Sequence, residues 1–303
     1  MERTIKSPSF ARSPELQTAP RRPRKVAATK HDQRDLVVSG ARIRYIDVGP
    51  IEPSDELAPP VLLIHGLSSR IEEYEDLVPH LALRRRVIVP DLPGSGYSDK
   101  PDRPYTLTSC EDALLGLLDG VRIGHADVAG GSLGGNLALR LGHREPDRFR
   151  KIVAWAPACA WEPKPVTAKI MRALRARALF WPTIWIQSRF WYERSWPGRE
   201  GALREAFDYY GEVLSEGFVR MYFDLAVEQI EQTLFDVAHR IAQPTLLLWG
   251  DRDHGLNMGV GVKRLVTLLP RARLHVFSGA RHALANEIPT ELARVADSFL
   301  SEN

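Results

Sequence analysis

Short apolar segments and segments of helical periodicity alternate along most of the chain. Around Gly40, apolar and polar positions alternate one by one, which is typical of a hairpin of half-buried strands. The later apolar segments are continuous, as expected for strands that a sheet buries on both faces. We predict strands at 36–39, 42–48, 61–64, 86–90, 126–129, 151–156, 244–250 and 273–277. We predict helices at 70–82, 108–121, 136–141, 166–180, 218–234 and 289–300.

This alternating order predicts an α/β fold, with a mostly parallel central sheet that helices flank on both faces. The alternation stops between residues 157 and 240, where no segment has the pattern of a buried strand. We therefore predict an α/β core formed by residues 35–156 and 241–303, with residues 157–240 inserted into it as a helical lid. The lid segment contains most of the tryptophans of the chain: Trp161, Trp181, Trp185, Trp191 and Trp196.

Residues 1–34 have the composition of a basic N-terminal extension. Four prolines, several serines and the lack of an amphipathic period leave too little apolar surface to bury, so we expect this segment to be disordered. It carries nine Lys/Arg against three acidic residues, hence +6, whereas the whole chain carries +3 and the remainder −3. Because the basic excess lies in this extension and not on a folded face, we expect no nucleic-acid partner.

Composition and cysteine content restrict the class of protein further. The 303 residues are 44% hydrophobic and 26% charged, as in a soluble globular enzyme. No apolar run reaches the roughly 18 residues that a membrane span requires. The two cysteines, Cys110 and Cys159, lie far apart and belong to no metal or redox motif. We expect a cytoplasmic protein with free thiols and with neither a metal nor a cofactor.

The main candidate for chemistry is Ser132, at the centre of the segment 130–134 (Gly-Gly-Ser-Leu-Gly). A predicted strand precedes this segment and a predicted helix follows it. Small residues on both sides permit a sharp turn, because a strained backbone leaves no room for Cβ atoms. The side chain at the apex then points outward, and here it is a hydroxyl. This pattern is typical of a G-x-S-x-G nucleophile elbow.

A serine hydroxyl needs a base to become a nucleophile, usually a histidine that a carboxylate orients. In open α/β sheets, such partners lie on loops at the carboxyl ends of the strands. Asp251 and Asp253 follow the strand that ends near Trp249, and His282 follows the last predicted strand. The candidates therefore follow one another in the order Ser, Asp, His.

The chain from about residue 36 to 301 resembles the α/β-hydrolase superfamily in its lid-bearing form. Five motifs in the order of that family carry the resemblance. They are 65–66 (His-Gly), 91–98 (Asp-Leu-Pro-Gly-Ser-Gly-Tyr-Ser), 131–135 (Gly-Ser-Leu-Gly-Gly), 249–253 (Trp-Gly-Asp-Arg-Asp) and 279–282 (Gly-Ala-Arg-His). We interpret the segment 91–98 as structural, because its prolines and glycines favour a tight loop.

The resemblance implies a catalytic triad. Ser132 matches the nucleophile of the family and His282 matches its base. In the family's Gly-x-x-Asp pattern the catalytic acid is the second one, which here is Asp253. We expect Asp251, the competing acid, to cap the loop or to bind a neighbour.

The resemblance also implies an oxyanion hole formed by main-chain groups. The backbone N–H of Leu133, directly after the nucleophile, is one expected donor. The backbone N–H of Leu67, directly after the His-Gly motif, is the other. His65 resembles the structural histidine of the oxyanion loop.

Serine at the elbow favours acyl transfer, since the dehalogenase and epoxide-hydrolase relatives use Asp there. We expect an esterase- or lipase-like serine hydrolase that cleaves a carboxylic ester with a small-to-medium apolar acyl group through an acyl-Ser132 intermediate. A carbon–carbon bond hydrolase and a cofactor-free perhydrolase or haloperoxidase are alternatives on the same triad. Carbon–carbon bond hydrolases often place an aromatic residue after the base, where this chain has Ala283. A non-catalytic binding protein of the same fold is a further alternative, which an intact triad disfavours.

The lid sequence bears on the partners of the protein. Its aromatic residues favour an apolar substrate. Basic residues between 164 and 177 precede Phe180, Trp181 and Trp185, a pattern typical of helices that rest on an anionic membrane surface. A solvated helix face explains the same pattern. The sequence leaves both this alternative and the oligomeric state open.

Overall fold

One sheet of eight strands organises the computed structural model, which describes residues 29–52, 58–173, 177–254 and 258–302. The strand order across the sheet is β1-β2-β4-β3-β5-β6-β7-β8. β1 and β2 form an antiparallel hairpin, β2 also pairs antiparallel with β4, and every pair from β4 to β8 is parallel. The strands are β1 (Gln33–Val38), β2 (Ala41–Val48), β3 (Ala58–Ile64), β4 (Arg85–Pro90), β5 (Ala126–Gly131), β6 (Phe149–Trp155), β7 (Thr245–Gly250) and β8 (Ala272–Phe277). The predicted fold class is confirmed.

The central strands are buried on both faces, as their continuous apolar sequences predict. In β3, Leu62 and Ile64 belong to the apolar cluster on one side of the sheet. Val61 and Leu63 belong to the cluster on the other side, and all four side chains have no exposed surface. Successive side chains of a strand point to opposite faces, so an uninterrupted apolar run is what a sheet between two helical layers requires.

Helices fill the connections between the strands. They are a 3-10 helix (Ile71–Tyr74), α1 (Val78–Leu81), α2 (Leu107–Gly120), α3 (Leu133–Arg144), α4 (Pro165–Ala173), α5 (Arg177–Ser188), α6 (Arg199–Val213), α7 (Glu216–Glu231), α8 (Phe235–Ala238), α9 (Met258–Leu268), α10 (Leu284–Glu287) and α11 (Pro289–Ser301). The helices α4 to α8 lie between β6 and β7, within the range predicted for the lid. That they act as a lid stays a prediction.

Two helix predictions were wrong in extent, and one long helix was missed. The segment 70–82 is not one helix, because Pro79 has no N–H to donate and is tolerated only in the first turn of α1. The segment 166–180 belongs to two helices, α4 and α5. α6 was not predicted; it contains Gly201 and Gly211, and glycine lowers the helix propensity of a sequence.

The start of the folded region differs from the prediction of a disordered segment 1–34. β1 begins at Gln33. The backbone N–H of Thr29 donates to Glu72 Oε1 at 3.2 Å, and that of Lys30 donates to Glu75 Oε1 at 2.9 Å. Main-chain donors do not depend on composition, so the sequence pattern held no sign of these bonds. Residues 1–28 lie outside the described residues.

Candidate active site

The three candidate catalytic residues follow three strands of the sheet at the same edge. Ser132 follows β5, Asp253 lies three residues after the end of β7, and His282 lies on the loop after β8. These strands run parallel, with Gly131 opposite Trp155 and Gly250 opposite Phe277. Parallel strands bring their carboxyl ends to one edge, where open α/β sheets form their sites.

Ser132 occupies a strained position between β5 and α3. Its φ of 54° and ψ of −116° lie in a region that non-glycine residues rarely adopt. The turn is closely packed, since a Cβ at Gly134 would lie 1.9 Å from the carbonyl oxygen of Ile64, and one at Gly130 would lie 2.6 Å from it. The glycines on both sides of Ser132 are therefore required by the close approach of β3, as the sequence pattern predicts.

His282 and Asp253 form a directed pair. His282 Nδ1 lies 2.8 Å from Asp253 Oδ2. The Asp253 side chain is only 1% exposed and that of His282 is 23% exposed, so the base can be reached while the acid is shielded. Burial lowers the pKa of His282, but the charge and the hydrogen bond of Asp253 outweigh this, and the net pKa is raised above 6.5. A carboxylate on Nδ1 leaves Nε2 to take the proton of a nucleophile.

Asp251, the competing acid, binds its own loop. Its Oδ1 accepts a hydrogen bond of 2.7 Å from the backbone N–H of Gly279, and its Oδ2 accepts one of 3.2 Å from Ser278 Oγ. These bonds tie the loop after β7 to the loop after β8. Asp251 therefore does not orient His282, and of the two acids only Asp253 reaches the imidazole.

Ser132 and His282 are not joined by a hydrogen bond in the described part of the chain. The main chain of Ser132 is fixed, since its N–H donates to Trp155 O at 2.9 Å and its carbonyl oxygen accepts from Ala158 N at 2.9 Å. Catalytic hydrogen bonds are often long without substrate and tighten when it binds. The structure thus joins the acid to the base and places the nucleophile at the same edge of the sheet.

The two expected oxyanion donors lie at the start of α3 and on the loop after β3. Leu133 is the first residue of α3, where N–H groups have no acceptor within the helix. Leu67 follows Gly66, where a Cβ would lie 3.6 Å from the Cβ of Ser132, so the two loops are in contact. Within the described ranges, neither the Leu67 N–H nor the Leu133 N–H donates a hydrogen bond to a protein acceptor. Both remain proposed oxyanion donors.

His65 fixes the loop that carries Leu67. Its Nε2 accepts a hydrogen bond of 3.0 Å from the backbone N–H of Leu92. The other nitrogen, Nδ1, lies 2.7 Å from Gly66 O and must be the donor there, because a neutral imidazole that accepts at one nitrogen donates at the other. His65 is fully buried. It therefore matches the structural role expected of it.

Sequence reasoning missed a link between the insertion and the loops that carry Asp253 and His282. Glu193, between α5 and α6, lies 3.1 Å from Arg281 Nε and 3.2 Å from Arg252 Nη1. Arg281 precedes His282, and Arg252 precedes Asp253. No motif marks Glu193, and only the pairing of charges across the fold identifies it.

Sequence reasoning also missed the groups that surround the site. Tyr210 of α6 lies 3.3 Å by its hydroxyl from Ser68 Oγ, beside the oxyanion loop. Trp191 accepts a hydrogen bond of 3.0 Å from the backbone N–H of Ala283, directly after the base. Glu73 Oε2 is buried without a hydrogen-bond partner among the described residues, and the charge of Glu73 contributes to the raised pKa of His282. Residues that converge from distant elements give no local signal in a sequence.

The described residues give no sign of a metal centre or of a membrane-spanning helix. No group of three or more His, Cys, Asp and Glu side chains in the described ranges is arranged to hold a metal ion. No helix in those ranges is both long and apolar enough to cross a bilayer.

Comparisons with known proteins agree with this fold. The family described as "alpha/beta hydrolase fold" matches residues 59–197. The chain is 27% identical to a 2-hydroxymuconate semialdehyde hydrolase of Pseudomonas sp. (strain CF600), over 89% of this chain and 94% of that protein. It is 26% identical to a poly(3-hydroxyalkanoate) depolymerase of Ectopseudomonas oleovorans, over 75% of this chain and 79% of that protein. The structure of an enol-lactonase from Burkholderia xenovorans LB400 superimposes with a TM-score of 0.77 and 22% identity, over 88% of this chain and all of that one.

Proposed function

The chain belongs to the α/β-hydrolase superfamily, and we propose that it is a serine hydrolase that cleaves a neutral, apolar carboxylic ester through an acyl-Ser132 intermediate. The observation that carries the proposal is the directed pair of His282 and Asp253 at the sheet edge where Ser132 occupies its strained turn. Nucleophilic attack on a carbonyl requires a hydroxyl, a base that takes its proton and an acid that orients the base.

The proposed reaction has two halves. Ser132 Oγ attacks the carbonyl carbon of the ester while His282 Nε2 takes the hydroxyl proton. The N–H groups of Leu67 and Leu133 receive the negative charge on the carbonyl oxygen. The imidazolium, stabilised by Asp253, then protonates the leaving alkoxide as the ester C–O bond breaks. Water, deprotonated by His282, then attacks the acyl carbon of the acyl-enzyme. The bond between this carbon and Ser132 Oγ breaks, and His282 returns the proton to Oγ, which releases the carboxylic acid and restores Ser132.

The charges around the base favour a neutral substrate. Against the opposing effect of burial, three carboxylates raise the pKa of His282: those of Asp253, Glu73 and Glu287. The same negative potential disfavours a substrate that carries its own carboxylate near the reacting carbonyl. A neutral ester is not repelled by this negative potential. The polyester in the name of the depolymerase relative is a substrate of this neutral kind.

A fluorophosphonate probe tests the proposal together with p-nitrophenyl esters of graded chain length. We expect a single adduct, on Ser132 by peptide mass spectrometry, and ester hydrolysis that Ser132→Ala abolishes. Asp208→Asn, a change at an exposed position of α6, is the matched control and should keep full activity. Equal ester hydrolysis by wild type and Ser132→Ala, or an adduct elsewhere, would refute the assignment of the nucleophile. An unlabelled and inert wild type would support a non-catalytic binding protein instead.

A carbon–carbon bond hydrolase is the second candidate. It is favoured by the 2-hydroxymuconate semialdehyde hydrolase relative, which the alignment covers over 94% of its length. Ala283 after the base argues against it. The two candidates are separated by comparing kcat/KM for 2-hydroxymuconate semialdehyde and for a neutral p-nitrophenyl ester on the same enzyme. A higher value for the semialdehyde would replace the ester proposal with this one, while the role of Ser132 would stand.

A further inference from the structure

One helix of the insertion turns an apolar face outward. Along α5 and the turn after it, Phe180 and Ile184 are fully buried, whereas Trp185 is 54% exposed, Ile186 55% and Phe190 49%. The guanidinium of Arg189 lies over the Trp185 ring, 3.9 Å from its centre. We call Trp185, Ile186, Arg189 and Phe190 the α5 outer face. Single exposed apolar residues are ordinary, but large ones grouped on one helix face mark an interaction surface.

The chain segment that contains this face carries charges of one sign. No Asp or Glu occurs between residues 163 and 192. The preceding helix, α4, also has an exposed apolar pair, Val166 at 72% and Ile170 at 54%, with the exposed Lys169 between them. Apolar and aromatic side chains among cations of one sign are the composition of helices that lie in the plane of an anionic bilayer. The stretch contains six cationic residues, of which Arg172 pairs with Glu231 of α7: Lys164, Lys169, Arg172, Arg175, Arg177 and Arg189.

We propose that the α5 outer face docks on an anionic lipid bilayer surface, with Trp185, Ile186 and Phe190 entering the headgroup region and the exposed Lys169 and Arg189 pairing with lipid phosphates. A second copy of the chain is a poorer occupant of this face. A two-fold interface would bring the same patch of each copy together, and the cations of the two copies would then repel. Anionic lipid supplies both the apolar medium and the opposite charge.

The docking face is connected to the proposed catalytic edge. Arg281 Nη1 donates to the carbonyl oxygen of Arg189 at 3.3 Å, and the backbone N–H of Ala283 donates to that of Trp191 at 3.0 Å. The loop that carries His282 is thus bonded to the segment directly behind the α5 outer face. A docked protein would hold this edge of the sheet near the bilayer, where apolar esters partition.

Flotation with vesicles tests the docking. We expect wild type to float with vesicles of phosphatidylcholine containing about one quarter phosphatidylglycerol, not with pure phosphatidylcholine, and to dissociate as NaCl is added. Ile186→Glu should weaken the binding about tenfold or more, because it removes an inserting side chain and adds an anion. Phe190→Ser should weaken it without adding a charge. Val37→Glu, the same kind of change at an exposed apolar position on β1, should bind as wild type.

The outcomes separate the proposal from its alternatives. All of these variants keep the basic segment 1–34. Undiminished lipid binding by Ile186→Glu would therefore assign the lipid contact to that segment and overturn the proposal. Failure of wild type to float would overturn it too. A concentration-dependent dimer in sedimentation velocity, lost in Ile186→Glu, would make the face a self-association surface instead. Ser132→Ala should float like wild type, so docking is measured independently of the proposed hydrolysis.

Discussion

Glu193 of the helical insertion accepts a hydrogen bond of 3.1 Å from Nε of Arg281, the residue directly before His282. The same carboxylate lies 3.2 Å from Arg252, and Glu287 ties both partners together by accepting hydrogen bonds from the backbone N–H groups of Glu193 and Arg281. The insertion is thereby joined to both loops that carry the proposed acid and base. The position of the insertion and the geometry of the proposed catalytic edge are therefore coupled through charged groups, whose charge a substitution can remove with little change of shape.

Replacing Glu193 with Gln tests this coupling. Burial raises the pKa of Glu193, but the hydrogen bond of Arg281 and neighbouring charges outweigh this and lower it below 4.5. The carboxylate therefore stabilises the fold above about pH 4.5, and this contribution disappears as the pH falls through the lowered pKa. We expect Glu193→Gln to lose about 1 kcal/mol of unfolding free energy or less at neutral pH, and kcat/KM to fall several-fold.

Urea unfolding of wild type and Glu193→Gln between about pH 7 and pH 3 checks the prediction. The difference in unfolding free energy between wild type and Glu193→Gln should approach zero at the most acidic pH. Asp208→Asn, at an exposed position of the same insertion, is the control and should show no such convergence. A difference that persists unchanged in acid would mean that size or packing, rather than charge, accounts for the effect.

The different contacts of Asp251 and Asp253, the two acids after β7, give a second prediction. Asp253→Asn should lower kcat by roughly 10³–10⁴-fold with little loss of stability, because the amide no longer stabilises the imidazolium or fixes its tautomer. Asp251→Asn should have the opposite profile: kcat within a few-fold of wild type and an unfolding free energy lower by about 1 kcal/mol, from the weakened bond to Gly279 N. Steady-state kinetics and urea unfolding of both variants test this prediction. A large loss of kcat in Asp251→Asn together with near wild-type kcat in Asp253→Asn would assign the catalytic acid to Asp251.

The pH dependence of activity gives a third prediction. The proposed base acts only when neutral, and the pKa of His282 is raised above 6.5 by Asp253, Glu73 and Glu287 against the effect of burial. We expect kcat/KM for a neutral ester to rise with pH through this raised pKa. Glu73→Gln removes one negative charge, so it should lower the pKa of His282. The rise of kcat/KM on the acidic side of the pH profile should then occur at lower pH.

A matched variant separates this charge effect from general damage. Glu75 is on the same connection but binds the backbone N–H of Lys30, so Glu75→Gln should leave the acid limb of the profile in place. Both variants are compared with wild type on one neutral ester. If the pH profile of kcat/KM for Glu73→Gln coincides with that of wild type, the Glu73 carboxylate does not affect the pKa of His282.

The packing of the elbow gives a fourth prediction. A Cβ at Gly134 would lie 1.9 Å from the main-chain oxygen of Ile64, a contact that only a backbone shift can relieve. Gly134→Ala should therefore lower the unfolding free energy by about 3 kcal/mol or more. A Cβ at Gly201 in α6 would meet no atom of a neighbouring element within 4 Å, so Gly201→Ala should raise stability by about 0.5–1 kcal/mol. Urea unfolding of the two variants measures both changes, and equal effects at the two positions would contradict a steric origin.

The local parts of this protein could be predicted from its sequence. Apolar runs such as 61–64 are buried on both faces of the sheet, and the glycines around Ser132 are where the backbone of β3 approaches. Both features depend on neighbours in the chain: a run of apolar side chains needs two covered faces, and a strained turn needs missing Cβ atoms. The order of Ser132, Asp253 and His282 along the chain likewise requires no knowledge of the fold.

Only the tertiary structure decided which groups meet. Asp251 and Asp253 are two residues apart, yet one binds the loop of Gly279 and the other binds His282. Glu193 reaches Arg281 across 88 residues of chain. Such contacts depend on where distant loops lie at the carboxyl edge of the sheet, and the energy of a hydrogen bond or an ion pair falls steeply with distance and direction. A residue's type determines what it can bind, whereas the fold determines which partner lies within reach.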